Sequence, residues 1–326
     1  MSCIRIGWVG CGYHSYNMLC DCLRNTDSRL VAACDIDPDK LDRFSRRYHI
    51  DAGYSDFREM LEKEDLDAVI CVQGPDLHYD VAKACLEKGI PVFVEKTPCR
   101  TAAQARELAD LQRDGVFAMT GFNRRFAIGY VMAKKIISSE EFGEKTMYLA
   151  KYNASSYKSE EFYIFNHIVH HIDLARFLCG EIDITHADRV RVSDTQVGFH
   201  VCFRARESNL IGTIQSGSLQ YIEYPMERVE ITGVRTNVIV DNIKRLEYNR
   251  PTTQKRNAGE AVMRDGFDTL SWNHNHGNLI ENDLNGFKDE IEHFIDCVKN
   301  KITPAETFSD SVFTMETLEK LGTLLS

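Results

Sequence analysis

The apolar run from Ile4 to Val9 leads directly into Gly10-Cys11-Gly12-Tyr13-His14-Ser15, and a helical pattern begins at once around Tyr16 to Leu23. The spacing is G-x-G-x-x-S. In a strand-to-helix turn of this kind the first glycine makes the bend, the second lets a pyrophosphate approach the backbone, and the third position permits close helix-to-strand packing. Serine at the third place is a small departure. The helix N-terminus that follows offers an anion free N–H groups and the positive end of a dipole. Asp35 closes the next apolar run twenty residues after Ser15, where an acid would meet ribose hydroxyls and repel the extra phosphate of NADP. A glycine triplet alone could equally be a sharp structural turn, and Asp35 could cap a helix, a role that Asp37 suits better. Taken together the residues point to a dinucleotide, NAD rather than NADP, with Gly10, Cys11, Gly12, Tyr13, His14 and Asp35 around it.

Such a turn needs a sheet to carry it. Ile4 to Val9, Leu30 to Cys34, Ala68 to Val72, Pro91 to Val94 and Val116 to Thr120 are short, apolar and rich in β-branched residues, as strands covered on both faces should be. Amphipathic stretches lie between them. Val81, Ala82, Cys85 and Leu86 form one stripe of a helix that should stop near Gly89, Asp37-Pro38 is an N-cap followed by proline, and Thr101 with Gln104 has capping-box spacing. The expected fold class is α/β, an N-terminal doubly wound parallel sheet over residues 1–121.

After Phe126 the pattern changes. A helix around Gly129 to Ile137 precedes alternating segments at Thr146 to Tyr152, Val197 to Phe203, Leu210 to Ile214, Arg228 to Thr232 and Asn237 to Val240, with a turn at Gly233. Residues 122–326 are therefore expected to form an α+β domain on a large, mostly antiparallel open sheet. Arg250 to Asn285 is polar and weakly periodic and reads as loop with short helices. A helix from Gly286 to Val298 carries Phe287, Ile291, Phe294, Ile295 and Val298 on one side.

Composition excludes several classes. The 326 residues have 43% hydrophobic and 27% charged content with a net charge of −10, an ordinary globular balance whose acidity disfavours nucleic acid and anionic lipid. No apolar stretch approaches the roughly 20 residues of a membrane span, and the N-terminus reads as a strand, not a signal. Eleven cysteines, without a C-x-x-C pair, fit reduced buried thiols and a cytoplasmic setting, with no metal site expected.

At the fourth strand the chain reads Val94-Glu95-Lys96-Thr97-Pro98. With Gly10-Cys11-Gly12, Pro75-Asp76-Leu77-His78, Gly121-Phe122-Asn123-Arg124-Arg125-Phe126 and His170-His171-Ile172-Asp173, it resembles the Gfo/Idh/MocA family of nicotinamide-dependent oxidoreductases. Their usual strand-end motif is Glu-Lys-Pro; here it is Glu-Lys-Thr-Pro. Phe294-Ile295-Asp296 and Pro304 followed by Asp310 look like the closing segments of that family. The resemblance implies a Rossmann first domain, a substrate-binding second domain and self-association as a homo-oligomer, dimer or tetramer. It also implies a small substrate: a sugar, polyol or cyclitol.

The resemblance gives the site residues roles. Lys96, at the carboxyl end of a parallel strand, suits an acid/base, since partial burial lowers an ammonium towards neutrality; the plain alternative is an exposed lysine pairing with Glu95. Family members commonly carry Asp-x-x-x-His in the second domain, and alignment puts His170 at the histidine as proton relay and Asn166 at the aspartate. Asn166 can hydrogen-bond to a substrate but cannot ionise. Asp173 is a weaker candidate for orienting His170. Gln73, Gly74, His78, Glu95, Asn123 and Arg125 fit the cofactor side. His167 and His171 read as surface or core histidines ahead of half a zinc site, Tyr157 and Tyr163 as packing ahead of hydroxyl donors, and His274 and His276 as loop residues. The expected function is hydride transfer between NAD and a hydroxyl carbon. The alternatives are a redox-neutral lyase or glycosidase using NAD, and a nucleotide-binding regulator without turnover.

Overall fold

The computed structural model describes residues 3–220, 225–251, 267–274 and 284–326. The chain packs as two units, the first made of Met1–Phe126 with Gly286–Glu319 and the second of Ala127–Asn285 with Lys320–Ser326. The sequence expects a single cut after residue 121. Packing instead groups the return segment with the first unit, because the helix Phe287–Asn300 buries Phe287, Ile291, Phe294 and Ile295 in the same core as Ile6, Trp8, Phe93 and Phe117. Phe294 sits 5.7 Å from the ring of Phe93 and 6.0 Å from that of Phe117.

In the first unit six strands, β1 (Ile4–Val9), β2 (Ser28–Cys34), β3 (Ala52–Tyr54), β4 (Ala68–Cys71), β5 (Val92–Glu95) and β6 (Ala118–Gly121), form a parallel sheet in the order β3-β2-β1-β4-β5-β6. Five were expected; β3 is three residues at the sheet edge, too short for a periodic signal. The order reverses direction between β1 and β4, the place where such sheets open a crevice beyond their carboxyl ends. Register brings those ends level: Val9 lies opposite Cys34 on one side and Cys71 on the other, and Cys71 opposite Val94. Residues following these strands therefore share one edge.

Local sequence sets the helices. Asp37 caps α1 (Pro38–Tyr48) by accepting from the backbone N–H groups of Asp39 and Lys40. Gly89 ends α3 (Pro75–Lys88) at φ +79°, after α2 (Phe57–Lys63), and Thr101 and Gln104 form the expected capping box on α4 (Ala102–Asp110). The helix after the glycine turn is irregular, a π turn over Ser15–Leu19 followed by 3₁₀ geometry over Cys20–Asn25.

The second unit is an eight-stranded sheet built from β7 (Lys145–Asn153), β8 (Ile182–Ser193), β9 (Gln196–Ala205), β10 (Ile211–Gly217), β11 (Met226–Gly233), β12 (Asn237–Asp241), β13 (Arg245–Pro251) and β14 (Phe267–Asn273). Its order is β14-β13-β12-β11-β7-β10-β9-β8, antiparallel except where β7 meets β10. The loop expected over Arg250 to Asn285 is thus corrected: Phe267–Asn273 is an edge strand whose residues are all at least partly exposed, so no apolar alternation marks it. β8 escaped the sequence because its two apolar pairs, Ile182 with Ile184 and Val190 with Val192, are separated by Thr185 to Arg189, and the second pair is exposed. The helices α5 (Ile128–Ile137) and α7 (Val169–Cys179) pack on β12 and β7 respectively, with the short α6 (Glu160–Tyr163) between them in sequence. Along β7, Tyr148, Ala150 and Tyr152 are buried while Met147 and Leu149 remain 51% and 39% exposed on the opposite face. His274 follows β14 and donates its backbone N–H to the carbonyl of Lys244; His276 lies outside the described residues. No helix among the described residues is long and apolar enough to cross a membrane.

Candidate functional site

At the carboxyl edge of the first sheet the glycine turn is tied down by its own backbone. Gly10 has φ +95°, and a Cβ there would lie 2.3 Å from the carbonyl oxygen of Val72, so only glycine fits. Ser15 stands where the third glycine is usual. It is fully buried, and its hydroxyl donates to the Gly10 carbonyl at 2.5 Å, closing the loop from within. Around Gly12, by contrast, an added Cβ would meet nothing within 4 Å, which leaves room for a phosphate against the backbone. Asp35 accepts from Cys11 N–H at 2.7 Å and Asp37 N–H at 2.9 Å, one bond to each oxygen. Each carboxylate oxygen retains a second lone pair for a hydroxyl.

Beside Asp35, Ile36 is 88% exposed. An aliphatic side chain left in water there offers a flat surface to a purine. Sequence reading passed over it, although an apolar residue directly after the strand-end acid was the available signal. Tyr13 in the glycine turn is similarly exposed, and Gln73 and Gly74 are exposed after β4. These groups fit an NAD-type dinucleotide: Gly10 to His14 would hold its pyrophosphate, and Asp35 with Ile36 its adenosine.

Lys96 follows β5 in a turn braced from two sides. Glu95, 3% exposed, accepts the Lys96 backbone N–H through Oε2 at 3.0 Å, and its Oε1 lies 3.2 Å from His14 Nε2. Burial opposes charge on Glu95, but His14, Lys96 and His78 outweigh it and hold the carboxyl below its ordinary range. Burial lowers the Lys96 ammonium from the usual lysine range; Glu95 acts against that and Arg124 with it. His78 braces the other side. Its Nε2 accepts from Gln73 N–H at 3.0 Å, so the proton sits on Nδ1, which donates to the Thr97 carbonyl at 2.8 Å. A fully buried ring with both nitrogens engaged by backbone holds the two loops together; that role differs from the cofactor contact expected of it. Asn123 and Arg125 are also buried, and Arg125 pairs with Asp310 at 2.6 Å.

The remaining candidates belong to the second unit. Asn166 lies in a π turn, Ile164–Ile168, and its Nδ2 donates to the Phe162 carbonyl at 2.8 Å. Such a widening of a helix often accompanies a functional site. His170, in the first turn of α7, is 7% exposed. The two flanking histidines have different partners. His167 Nδ1 lies 2.9 Å from the Tyr152 hydroxyl, while His171 is buried 4.0 Å from Glu227, which also bonds the Tyr130 hydroxyl. Asp173 is buried beside Arg176. Tyr163 donates to or accepts from Ser216 at 2.9 Å, and Tyr157 packs edge-on against His167.

The glycine turn, the strand-end acid and the strand order have a counterpart among known proteins: residues 4–122 match the profile of an oxidoreductase family with an NAD-binding Rossmann fold, Gfo/Idh/MocA. Inositol 2-dehydrogenase of Salmonella typhimurium is 33% identical over 187 residues, 55% of either protein, so the chain spans about half the length of that relative. D-apiose dehydrogenase of Paraburkholderia graminis is 25% identical over 328 residues, 95% of this chain and 84% of the relative. A dehydrogenase from Chromobacterium violaceum has the same fold, with a TM-score of 0.86 at 23% identity over 100% of this chain and 96% of the other.

The buried His78 carries a pH dependence. Its pKa is pushed down from 6.5 to about 4, chiefly by burial. Below pH 6.5 the unfolded chain takes up a proton that the folded chain refuses, so stability falls with pH until about 4 and no further from this group. We expect about 2 kcal/mol of stability to be lost through His78 between pH 7 and pH 5. Urea unfolding of the wild type and His78→Gln at both pH values measures it; an equal loss in the two proteins would contradict the assignment.

Proposed function

We propose that the protein is an NAD-dependent dehydrogenase that oxidises a hydroxyl carbon of a sugar, polyol or cyclitol, with Lys96 as acid/base and His170 as a proton relay. The observation that carries this reading is the position of Lys96: it follows the last residue of β5, on the edge shared with the glycine turn, with its ammonium pushed down by burial. When bound, the nicotinamide supplies the hydride acceptor. Lys96, neutral, takes the substrate hydroxyl proton, and in the reverse direction its ammonium returns one. Asp35 supports NAD over NADP, since a carboxylate beside the ribose repels a 2′-phosphate. Asn166 supplies a hydrogen bond where an acid would supply a charge, so the relay at this helix turn falls to a histidine, His170 in this reading. The names of the relatives, an inositol and an apiose dehydrogenase, support a polyhydroxylated substrate.

Purified protein incubated with NAD and a panel of inositols, pentoses and hexoses should generate free NADH with at least one of them. Consumption of substrate without free NADH would favour a redox-neutral lyase or glycosidase. With the active substrate, Lys96→Met should lower kcat by about 10²- to 10⁴-fold while NAD affinity stays within about threefold. Because the neutral amine is the working form in oxidation, kcat/KM should rise with pH and level off below the ordinary lysine pKa of about 10.4. A Lys96→Met enzyme as fast as the wild type would remove Lys96 from the chemistry.

We also infer self-association through the open face of the second unit's sheet, which leaves Met147, Leu149 and Ile211 exposed side by side on the paired strands β7 and β10. Sedimentation velocity should show a dimer or tetramer that Leu149→Lys dissociates. A wild-type monomer would contradict it.

A further inference from the structure

A side-chain hydroxyl selects a ligand best when its ring is held still and the hydroxyl has no partner inside the protein. Tyr157 of the second unit meets both conditions. It lies in the connection from β7 to α6, and its backbone N–H donates at 3.1 Å to the carbonyl of Thr195 in the turn between β8 and β9. Three residues on, Glu160 pairs with Arg189 and Arg191 of β8, so the connection is fastened to one hairpin at two points. Three rings surround that of Tyr157: Phe162 at 4.9 Å, His167 edge-on at 4.5 Å and Tyr163 edge-on at 6.1 Å. Its hydroxyl is the exception to the pattern around it. Those of Tyr130, Tyr152 and Tyr163 bond to Glu227, His167 and Ser216, whereas that of Tyr157 has no hydrogen-bond partner among the described residues, and burial alone pushes its phenol above the usual tyrosine range. The phenol therefore keeps its proton at neutral pH as a donor. The side chain is half-buried, and its hydroxyl is open to water.

We propose that the Tyr157 hydroxyl binds a non-reacting hydroxyl of the substrate and so determines which polyol is accepted. The assignment rests on the dehydrogenase reading and adds a specificity residue to it. Its place follows from the turn that carries the relay. Phe162 packs its ring against Tyr157 and gives its carbonyl to Asn166 Nδ2 at 2.8 Å, and His167, the next residue, meets Tyr157 ring to ring. Tyr157 is thus built onto the π turn, Ile164–Ile168, that leads into α7 and His170. A phenol hydroxyl donates one hydrogen bond and accepts others, as an alcohol does, so the two pair without any change of charge. Tyr163 engages its own hydroxyl with Ser216 and stacks on Phe199. That bond leaves Tyr163 a packing residue and Tyr157 the one with a hydroxyl to offer. A ring enclosed on three sides also meets its ligand with little rotamer freedom left to lose.

Substrate analogues test it. The polyol that the enzyme oxidises and its monodeoxy analogues, each lacking one non-reacting hydroxyl, are compared in wild type and in Tyr157→Phe, which keeps the ring and its contacts. With wild type, one analogue should lose about tenfold in kcat/KM. Tyr157→Phe should lose about tenfold with the parent polyol, chiefly through KM, and should oxidise the parent and that analogue within about twofold of each other, because the deleted substrate hydroxyl no longer has a partner to miss. A purely structural role for Tyr157 would lower every rate alike and leave the analogues ranked as in wild type. That result overturns the assignment alone, as does a Tyr157→Phe enzyme as fast as wild type on the parent, or a wild type indifferent to every deletion. A wild type that reduces no NAD with any substrate of the panel sinks the dehydrogenase reading, and the assignment with it.

Discussion

A carboxylate withdrawn from water either takes a proton or is held by donors, because charge in a poorly polarisable interior is costly. Glu95 is held. Its two oxygens reach in opposite directions, one to the backbone of Lys96 and one to His14 in the glycine turn, so a single buried side chain fixes the distance between the turn that follows β1 and the turn that follows β5. His78 fastens the second of these turns from the side of α3, bonding Gln73 and Thr97 through a neutral ring. Lys96 consequently sits on a backbone clamped at residues on both sides of it. In the proposed function Lys96 is a base, which must be placed to within a fraction of an ångström to matter, and the clamp would place it.

The same logic governs the other end of the crevice. Asp35 accepts two backbone N–H groups, from Cys11 and Asp37, and so shapes the glycine turn and the start of α1 while leaving lone pairs outward. Ser15 closes the turn with a hydroxyl where a third glycine would leave the Gly10 carbonyl to other donors. The cradle is therefore built by the protein's own hydrogen bonds, with open space at Gly12 and an uncovered Ile36 at the margin. Preorganised donors of this kind require little rearrangement when a ligand arrives.

Local chemistry was legible in the sequence and long-range pairing was not. Strands β1, β2, β4, β5 and β6 announce themselves as apolar runs, and the caps at Asp37, Gly89 and Thr101 follow from residue type alone. β3 is short and β14 is exposed along an edge, while β8 interrupts its apolar alternation between Ile184 and Val190, so none of the three shows the continuous pattern of a buried strand. The stripe on Phe287–Asn300 was visible, but not that it faces Phe93 and Phe117, since an amphipathic pattern says that a face is buried and never against what. The site divides in the same way. Glycine turn, acid and lysine were marked by type and spacing; the pairing of His14 with Glu95, the two backbone bonds of His78 and the π turn around Asn166 join residues whose proximity no local pattern encodes.

The central claim is that the clamped turn delivers the Lys96 amine to a substrate oxygen beside the nicotinamide. A crystal structure with NAD and an unreactive analogue of the active polyol measures this directly. The account predicts Lys96 Nζ at about 2.6–3.2 Å from the oxygen whose carbon faces the nicotinamide. An Nζ turned away from the ring, with another side chain on that oxygen, would contradict it.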